Sequence, residues 1–440
     1  MAQLAAGGGA RPTTNARVQA PRRGAAPRPS ILFANDLWTT GVSRAQRTVG
    51  VAVGAALFVL LFFAVGGDSL PVQVAGIGLL GLAGLVALLY VPRDFHPPTA
   101  VEYALALICF MSAVSVFNSP FGFEAAFTAA FAFAVVCVGV LARSLPAPAV
   151  LWVGAGSFAL IAFVTVATNL PELAAALNPA GGDRTLLRLS PFGLHPDLTG
   201  FIFGAGAALT LYARSTARGL RRHLFTAAAV ASVLIQLSTS HRSSLLSAIL
   251  ATLVVFGNLF RRLSSRTRLY VIVLAVVGLL VGSVFIGKVG AYLTAVLELD
   301  SDERGLGSGG TGRTDLWRAG VDLLFSDWRN LFLGLGLRAA SPDVIGFFTE
   351  NSYITIFLES GLLAGGLFVA AVLGGAARAV RLAWRATGEG RGTALCLAWL
   401  LVYATTESFF NRYLLAIGNP LSLFLLILFV QTPLLLREPR

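Results

Sequence analysis

The sequence predicts an all-α polytopic membrane protein of about twelve transmembrane helices, each near the ~20 apolar residues that cross a bilayer. Composition points there first. Of 440 residues, 56% are hydrophobic and only 12% charged, where a soluble globular protein carries about 25% charged residues. Mean hydropathy is +0.77. The third observation is order: apolar runs alternate with short polar breaks from residue 48 onward. So few charges cannot coat a soluble body of this size. A cytosolic enzyme, a disordered scaffold and a secreted disulfide-rich domain are excluded.

Residues 1–45 are rich in Ala, Gly, Pro and Arg and hold no apolar stretch long enough for a signal-peptide core. They read as a disordered basic cytoplasmic tail. Within 46–288 the apolar runs are 48–66, 71–91, 99–117, 122–142, 148–169, 196–213, 224–240, 243–260 and 269–288. Within 351–440 they are 351–376, 393–410 and 418–436. The runs ending at 240 and starting at 243 are parted only by Ser240-His241-Arg242-Ser243. Two breaks are long, at 170–195 and 289–350, and long loops usually carry function. In the second, Thr314 is a capping residue type ahead of Leu316, Trp317, Val321, Leu324 and Phe325 at helical spacing. That pattern predicts an amphipathic helix, lying on the outer leaflet or closing over a cavity.

Charge orients the chain. The net charge is +12 and Lys288 is the only lysine. With both termini cytoplasmic, the tail and inner loops collect 23 arginines, among them Arg93, Arg143, the 214–222 and 261–268 clusters, and Arg378 to Arg391. This is the positive-inside pattern, and one helix more or fewer would put whole clusters on the wrong face. The basic excess therefore needs no nucleic acid. Cys109, Cys137 and Cys396 each lie inside an apolar run, too scattered for a disulfide framework or metal site.

Ten basic residues remain outside. Arg242 follows His241 at the start of an apolar helix, where a cation opposes the helix dipole unless both face an anion such as phosphate. Arg313 opens the predicted loop helix; Arg318 lies one turn on, within reach of Asp315 or Asp322. Arg184 and Arg188 precede Leu194-His195-Pro196-Asp197 at the sixth run. Glu350-Asn351-Ser352-Tyr353 opens the tenth, and a carboxylate at that interface suits general acid–base work. Glu359 lies deeper and reads as bonded within the bundle. Glu102, Glu124 and Glu407 lie near run ends, where headgroup contact explains them. The four histidines divide between both faces, against a histidine metal cluster, and Asp300-Ser301-Asp302 sits in the long outer loop.

Several segments together resemble the O-antigen ligase/polymerase superfamily of bacterial membrane glycosyltransferases. Asn351-Ser352-Tyr353-Ile354, followed by Leu358-Glu359-Ser360-Gly361-Leu362-Leu363, is similar to its Asn–x–Tyr element with a following Glu and glycines. Ser240-His241-Arg242 resembles its Ser–x–Arg helix start. Gly312-Arg313, Trp317 and Gly334-Leu335-Gly336 resemble its Gly–Arg…Trp…Gly–x–Gly loop.

The resemblance implies a GT-C-like helical fold and a metal-independent, cofactor-free transfer of a glycan from undecaprenyl diphosphate on the periplasmic face of the bacterial inner membrane. Arg242 and Arg313 would hold the diphosphate, with Arg188 a third. Arg184, His241, Asn351, Tyr353, Arg318 and His195 would line the substrate site. Glu350 stands where the family's ligases carry histidine, and Ala364 replaces the last glycine of their Gly–x–x–Gly. This tilts the expectation from a lipid A-core ligase to a polymerase of O-antigen or exopolysaccharide repeats, with Glu350 orienting or deprotonating the acceptor hydroxyl. His241 or His195 is the alternative for that role. The expected partners are the carrier-linked glycan, an acceptor glycan or lipid A-core, membrane lipids and a chain-length regulator. A polysaccharide or lipid transporter is the rival class, but it would more often show two related halves and helices broken at the midplane.

Overall fold

The computed structural model describes residues 43–65, 70–90, 97–116, 124–177, 188–270, 273, 313–416 and 419–435. Over these the chain is all-helical, 84% helix with no strand. The helices are α1 (Arg44–Val65), α2 (Leu70–Tyr90), α3 (Ala100–Val116), α4 (Glu124–Ser144), α5 (Ala147–Thr168), α6 (Leu170–Leu177), α7 (Pro196–Thr216), α8 (Leu220–Ser238), α9 (Arg242–Arg262), α10 (Arg313–Ser326), α11 (Trp328–Leu333), α12 (Pro342–Ile345), α13 (Ser352–Arg385), α14 (Arg391–Glu407) and α15 (Pro420–Leu435). Among the described residues three helices are long and apolar enough to cross a membrane: Ala125–Ser144, Ala147–Thr168 and Ser352–Arg385. Shorter apolar helices run over Ala45–Phe58, Gly78–Leu89, Ala100–Val116, Arg242–Gly257 and Leu421–Leu435. The expected run at 269–288 falls almost wholly outside the described residues.

Local chemistry sets the helix starts. At α3, Thr99 and Glu102 form a capping box: the Thr99 N–H donates to Glu102 Oε2 at 2.8 Å and the Glu102 N–H to Thr99 Oγ1 at 3.3 Å. His195 caps α7 and Pro196 fills its first turn, where the missing N–H costs nothing. Asn351 caps α13, its Oδ1 accepting from the Tyr353 and Ile354 N–H groups at 2.9 and 3.1 Å. The break between α8 and α9 is the three-residue turn Thr239-Ser240-His241, with Ser240 at φ +51°.

Both long breaks hold more structure than loops. The 170–195 break contains α6 and a 3-10 turn at Pro191–Gly193; the 289–350 break contains α10, α11 and α12. Thr314 lies within α10, which already starts at Arg313, so it is not the cap. The helix opening the last third is also longer than expected, because α13 continues to Arg385 and bends at Gly361 (φ +75°, ψ 172°).

α7 is the axle of the bundle, packed against α5, α8, α9 and α14. Its glycines make room. A Cβ on Gly200 would come 2.7 Å from the His241 ring, and one on Gly206 would lie 2.9 Å from Phe158. One on Gly204 would collide with the Tyr403 hydroxyl. Small residues at such contacts are how apolar helices approach closely when both partners are as greasy as their surroundings. Buried amides bind helix ends together: Gln431 Nε2 donates to the Leu145 carbonyl at 2.7 Å, and Gln46 Nε2 to that of Ser144 at 3.2 Å. At this end Arg143 forks onto Glu102, with Nη2 2.8 Å from Oε2. Glu102 therefore serves an ion pair within the bundle rather than headgroup contact. The opposite end gathers the starts of α7, α9 and α13 and the finish of α14.

Candidate functional site

At that second end a polar cluster forms around Asp197. Its side chain is only 10% exposed. Arg188 Nη2 donates to Asp197 Oδ1 at 2.9 Å, and Arg313 Nη2 to Oδ2 at 3.1 Å. Arg188 is itself steadied by Nε donating to the Thr239 carbonyl at 2.8 Å, while the next residue ties its backbone, the Leu189 N–H donating to the Ser238 carbonyl at 3.0 Å. Two histidines flank the carboxylate: His195 Nδ1 lies 3.9 Å from Oδ2 and His241 Nε2 3.8 Å from Oδ1. The free N–H groups at the starts of α7, α9 and α10 place further partial positive charge at this end.

Behind Asp197 the cluster goes deeper. His241 is 3% exposed and Glu407 is 0% exposed. The Ser243 hydroxyl donates to Glu407 Oε1 at 3.0 Å and lies 2.6 Å from His241 Nε2. Asn411 Nδ2 also donates to Glu407 Oε1. Among the described residues His241 Nδ1, Glu407 Oε2 and Asn411 Oδ1 are buried without a hydrogen-bond partner. Burial pushes the His241 imidazole down to about 4, with Asp197 pulling it back up and the two arginines adding to the fall.

The residues singled out in the sequence separate into groups. Arg188, Arg313, His195 and His241 come together at Asp197. Arg242 opens α9 beside His241 and is partly buried. Glu350 sits just before the α13 cap in a left-handed conformation, φ +48°. Its charge reaches Tyr413, whose hydroxyl is pushed up first by burial and then by Glu350, with Asp197 adding a smaller push. Asn351 caps α13, and Tyr353 donates its hydroxyl to the Thr405 carbonyl of α14 at 2.6 Å. Arg318 is exposed on α10 and makes no ion pair with Asp315 or Asp322 among the described residues. Arg184, Asp300 and Asp302 lie outside the described residues.

Three members of the cluster went unassigned in the sequence. Asp197 stands in the His195-Pro196-Asp197 helix start, but nothing local shows that two distant arginines reach it. Glu407 was expected at headgroups, yet lies buried against α9 because its side of α14 faces the bundle. Asn411 follows one turn later and carried no motif.

Fold and site together define an all-helical protein that carries helices apolar enough to cross a membrane and a buried ionic cluster where several helices start. No protein-family model matches the chain, and no curated protein matches it.

Proposed function

We propose that the chain is a metal-independent membrane glycosyltransferase that polymerises O-antigen or exopolysaccharide repeat units carried on undecaprenyl diphosphate. It works at the periplasmic face of the bacterial inner membrane, through about twelve spans in a GT-C-like arrangement. One observation carries the reading: Arg188 and Arg313, from separate outer segments, converge at 2.9 and 3.1 Å on one point beside the starts of α7 and α9. Paired guanidinia at helix N-termini suit a diphosphate, since both recognise its oxygens.

In this mechanism the acceptor hydroxyl displaces polyprenyl diphosphate from the anomeric carbon. Charge builds on the leaving diphosphate, and arginines fixed beforehand in a partly dry site stabilise it without reorganising. Arg242, one residue from His241, supplies a third cation. Glu350 lies at the acceptor side, and its place where family ligases carry histidine favours polymerisation over transfer to lipid A-core.

The test is made in cells. Arg188→Ala and Arg313→Ala should each abolish long polymer while the protein still reaches the membrane. Normal polymer with both replaced would overturn the assignment. In a deletion strain, single repeat units accumulating on the carrier or on lipid A mark a polymerase. Long polymer stranded on the carrier marks a ligase, and unchanged carrier-linked glycans exclude both.

A further inference from the structure

The seat formed by Arg188 and Arg313 already holds an anion, which is the protein's own. Asp197 offers one oxygen to each guanidinium: Oδ1 takes Arg188 at 2.9 Å and Oδ2 takes Arg313 at 3.1 Å. Neither arginine therefore forms the two-pronged pair that its planar fork allows. A diphosphate presents more oxygens and more charge to the same N–H groups, so it competes directly with the carboxylate. The two arginines are also anchored differently. Arg188 is tied through Nε to the Thr239 carbonyl, whereas Arg313 sits on the first turn of α10 with its side chain 22% exposed.

We infer that Asp197 is an internal counter-anion that the donor diphosphate displaces from Arg188 and Arg313, and that the freed carboxylate then accepts the proton of the attacking hydroxyl. This rests on the glycosyltransferase reading. A carboxylate held by two guanidinia is a poor base; the same carboxylate released in a site only 10% exposed is a stronger one, because desolvation now favours its protonated form. Among the described residues the charged and titratable groups that bear on it are Arg188 ahead of α7, His195 at the α7 cap, His241 from the α8–α9 turn and Arg313 from α10, with Glu407 of α14 behind His241 and Tyr413 after α14. The step balances. The acceptor oxygen bonds to the anomeric carbon as the carbon–phosphate oxygen bond breaks, the electron pair departs with the diphosphate, and the hydroxyl proton comes to rest on Asp197. His241 Nε2, 3.8 Å from Oδ1, stands next to that proton. Base strength thereby depends on a seated donor, so an empty site does not activate hydroxyls.

The purified full chain is titrated with inorganic diphosphate, and the same variants are assayed in cells for polymer. Asp197→Asn should bind diphosphate about tenfold tighter than wild type, a gain of about 1.4 kcal/mol, and yet make no polymer. Asp197→Ser provides the same comparison where the asparagine variant is lost from the membrane. Weaker or equal diphosphate binding in these variants overturns the counter-anion. Tighter binding with polymer retained overturns the proton acceptor. Wild-type protein that binds no diphosphate overturns the glycosyltransferase reading beneath both.

Discussion

Gly361 lies against Phe332 backbone to backbone, so closely that a Cβ on the glycine would collide with the Phe332 carbonyl. Gly361 also holds φ +75°, and it bends α13 where the segment after α11 arrives. The Leu358 and Glu359 carbonyls accept there from the Leu335 and Gly336 N–H groups at 2.7 and 3.0 Å. The Gly334-Leu335-Gly336 motif is thus a strap bonded to the broken helix.

Gly361→Ala should unseat that strap. An alanine held at φ +75° and ψ 172°, a region essentially confined to glycine, costs about 1–3 kcal/mol, and the clash is with backbone that cannot swing aside. Cleavage within 334–340 by added protease should accelerate, and the melting midpoint in detergent should fall. Gly366→Ala is the control, since its nearest neighbour is a Phe357 ring atom at 3.9 Å. Equal behaviour of the two variants would remove the strap's role.

Glu407 separates shape from charge. Its Oε1 accepts from Ser243 and Asn411 while Oε2 has no partner. Glu407→Gln keeps the accepting oxygen and should cost under about 1 kcal/mol. Glu407→Ala strands both donors in the core, at about 1–3 kcal/mol for each buried group left unsatisfied. Thermal unfolding of the two variants checks the order, and a glutamine variant as unstable as the alanine one contradicts it.

His241 gives the fold a pH dependence of known sign. The folded imidazole is held near 4 by burial, while an unfolded histidine titrates near ~6.5. Below that value the unfolded chain binds the extra proton, so stability rises with pH across the window. The contribution is complete above about pH 6.5 and is lost as pH falls toward 4, amounting to roughly 3 kcal/mol at about 1.4 kcal/mol per unit. The melting midpoint of wild type should therefore drop between pH 7 and pH 5 more than that of His241→Gln. Parallel pH curves would place the imidazole's titration elsewhere.

Phe325 and Trp328 are each 64% exposed and Phe332 is 51% exposed, on α10 and α11. Exposed aromatic side chains on amphipathic helices are suited to the bilayer boundary. Trp328 emission, isolated as the difference from Trp328→Phe, should be quenched by phospholipids brominated near the headgroup. Emission that is red-shifted and unquenched would put α11 in water.

The sequence made the helices legible because each apolar run carries its own stop and start, such as His195-Pro196 or the four residues from Ser240. Arg188, Arg313, His195 and His241 were also legible as charges and polar groups at outer helix starts. Their meeting place was not. Asp197 acquires its role only through partners far along the chain, which no local spacing encodes. Glu407 was hidden for a different reason: α14 is apolar around its whole circumference, so periodicity gives no sign of which side turns inward.

α7 has one more consequence, which concerns how the protein is made. Glycines 200, 204 and 206 and the buried Asp197 leave it almost no face for hydrocarbon, with Leu211 its one large exposed side chain among the described residues. Yet it is synthesised before α8, α9 and α14, three of the four helices packed on it. Of its neighbours only α5 precedes it, so the packing of α7 is completed by helices that follow it in the chain, α14 last.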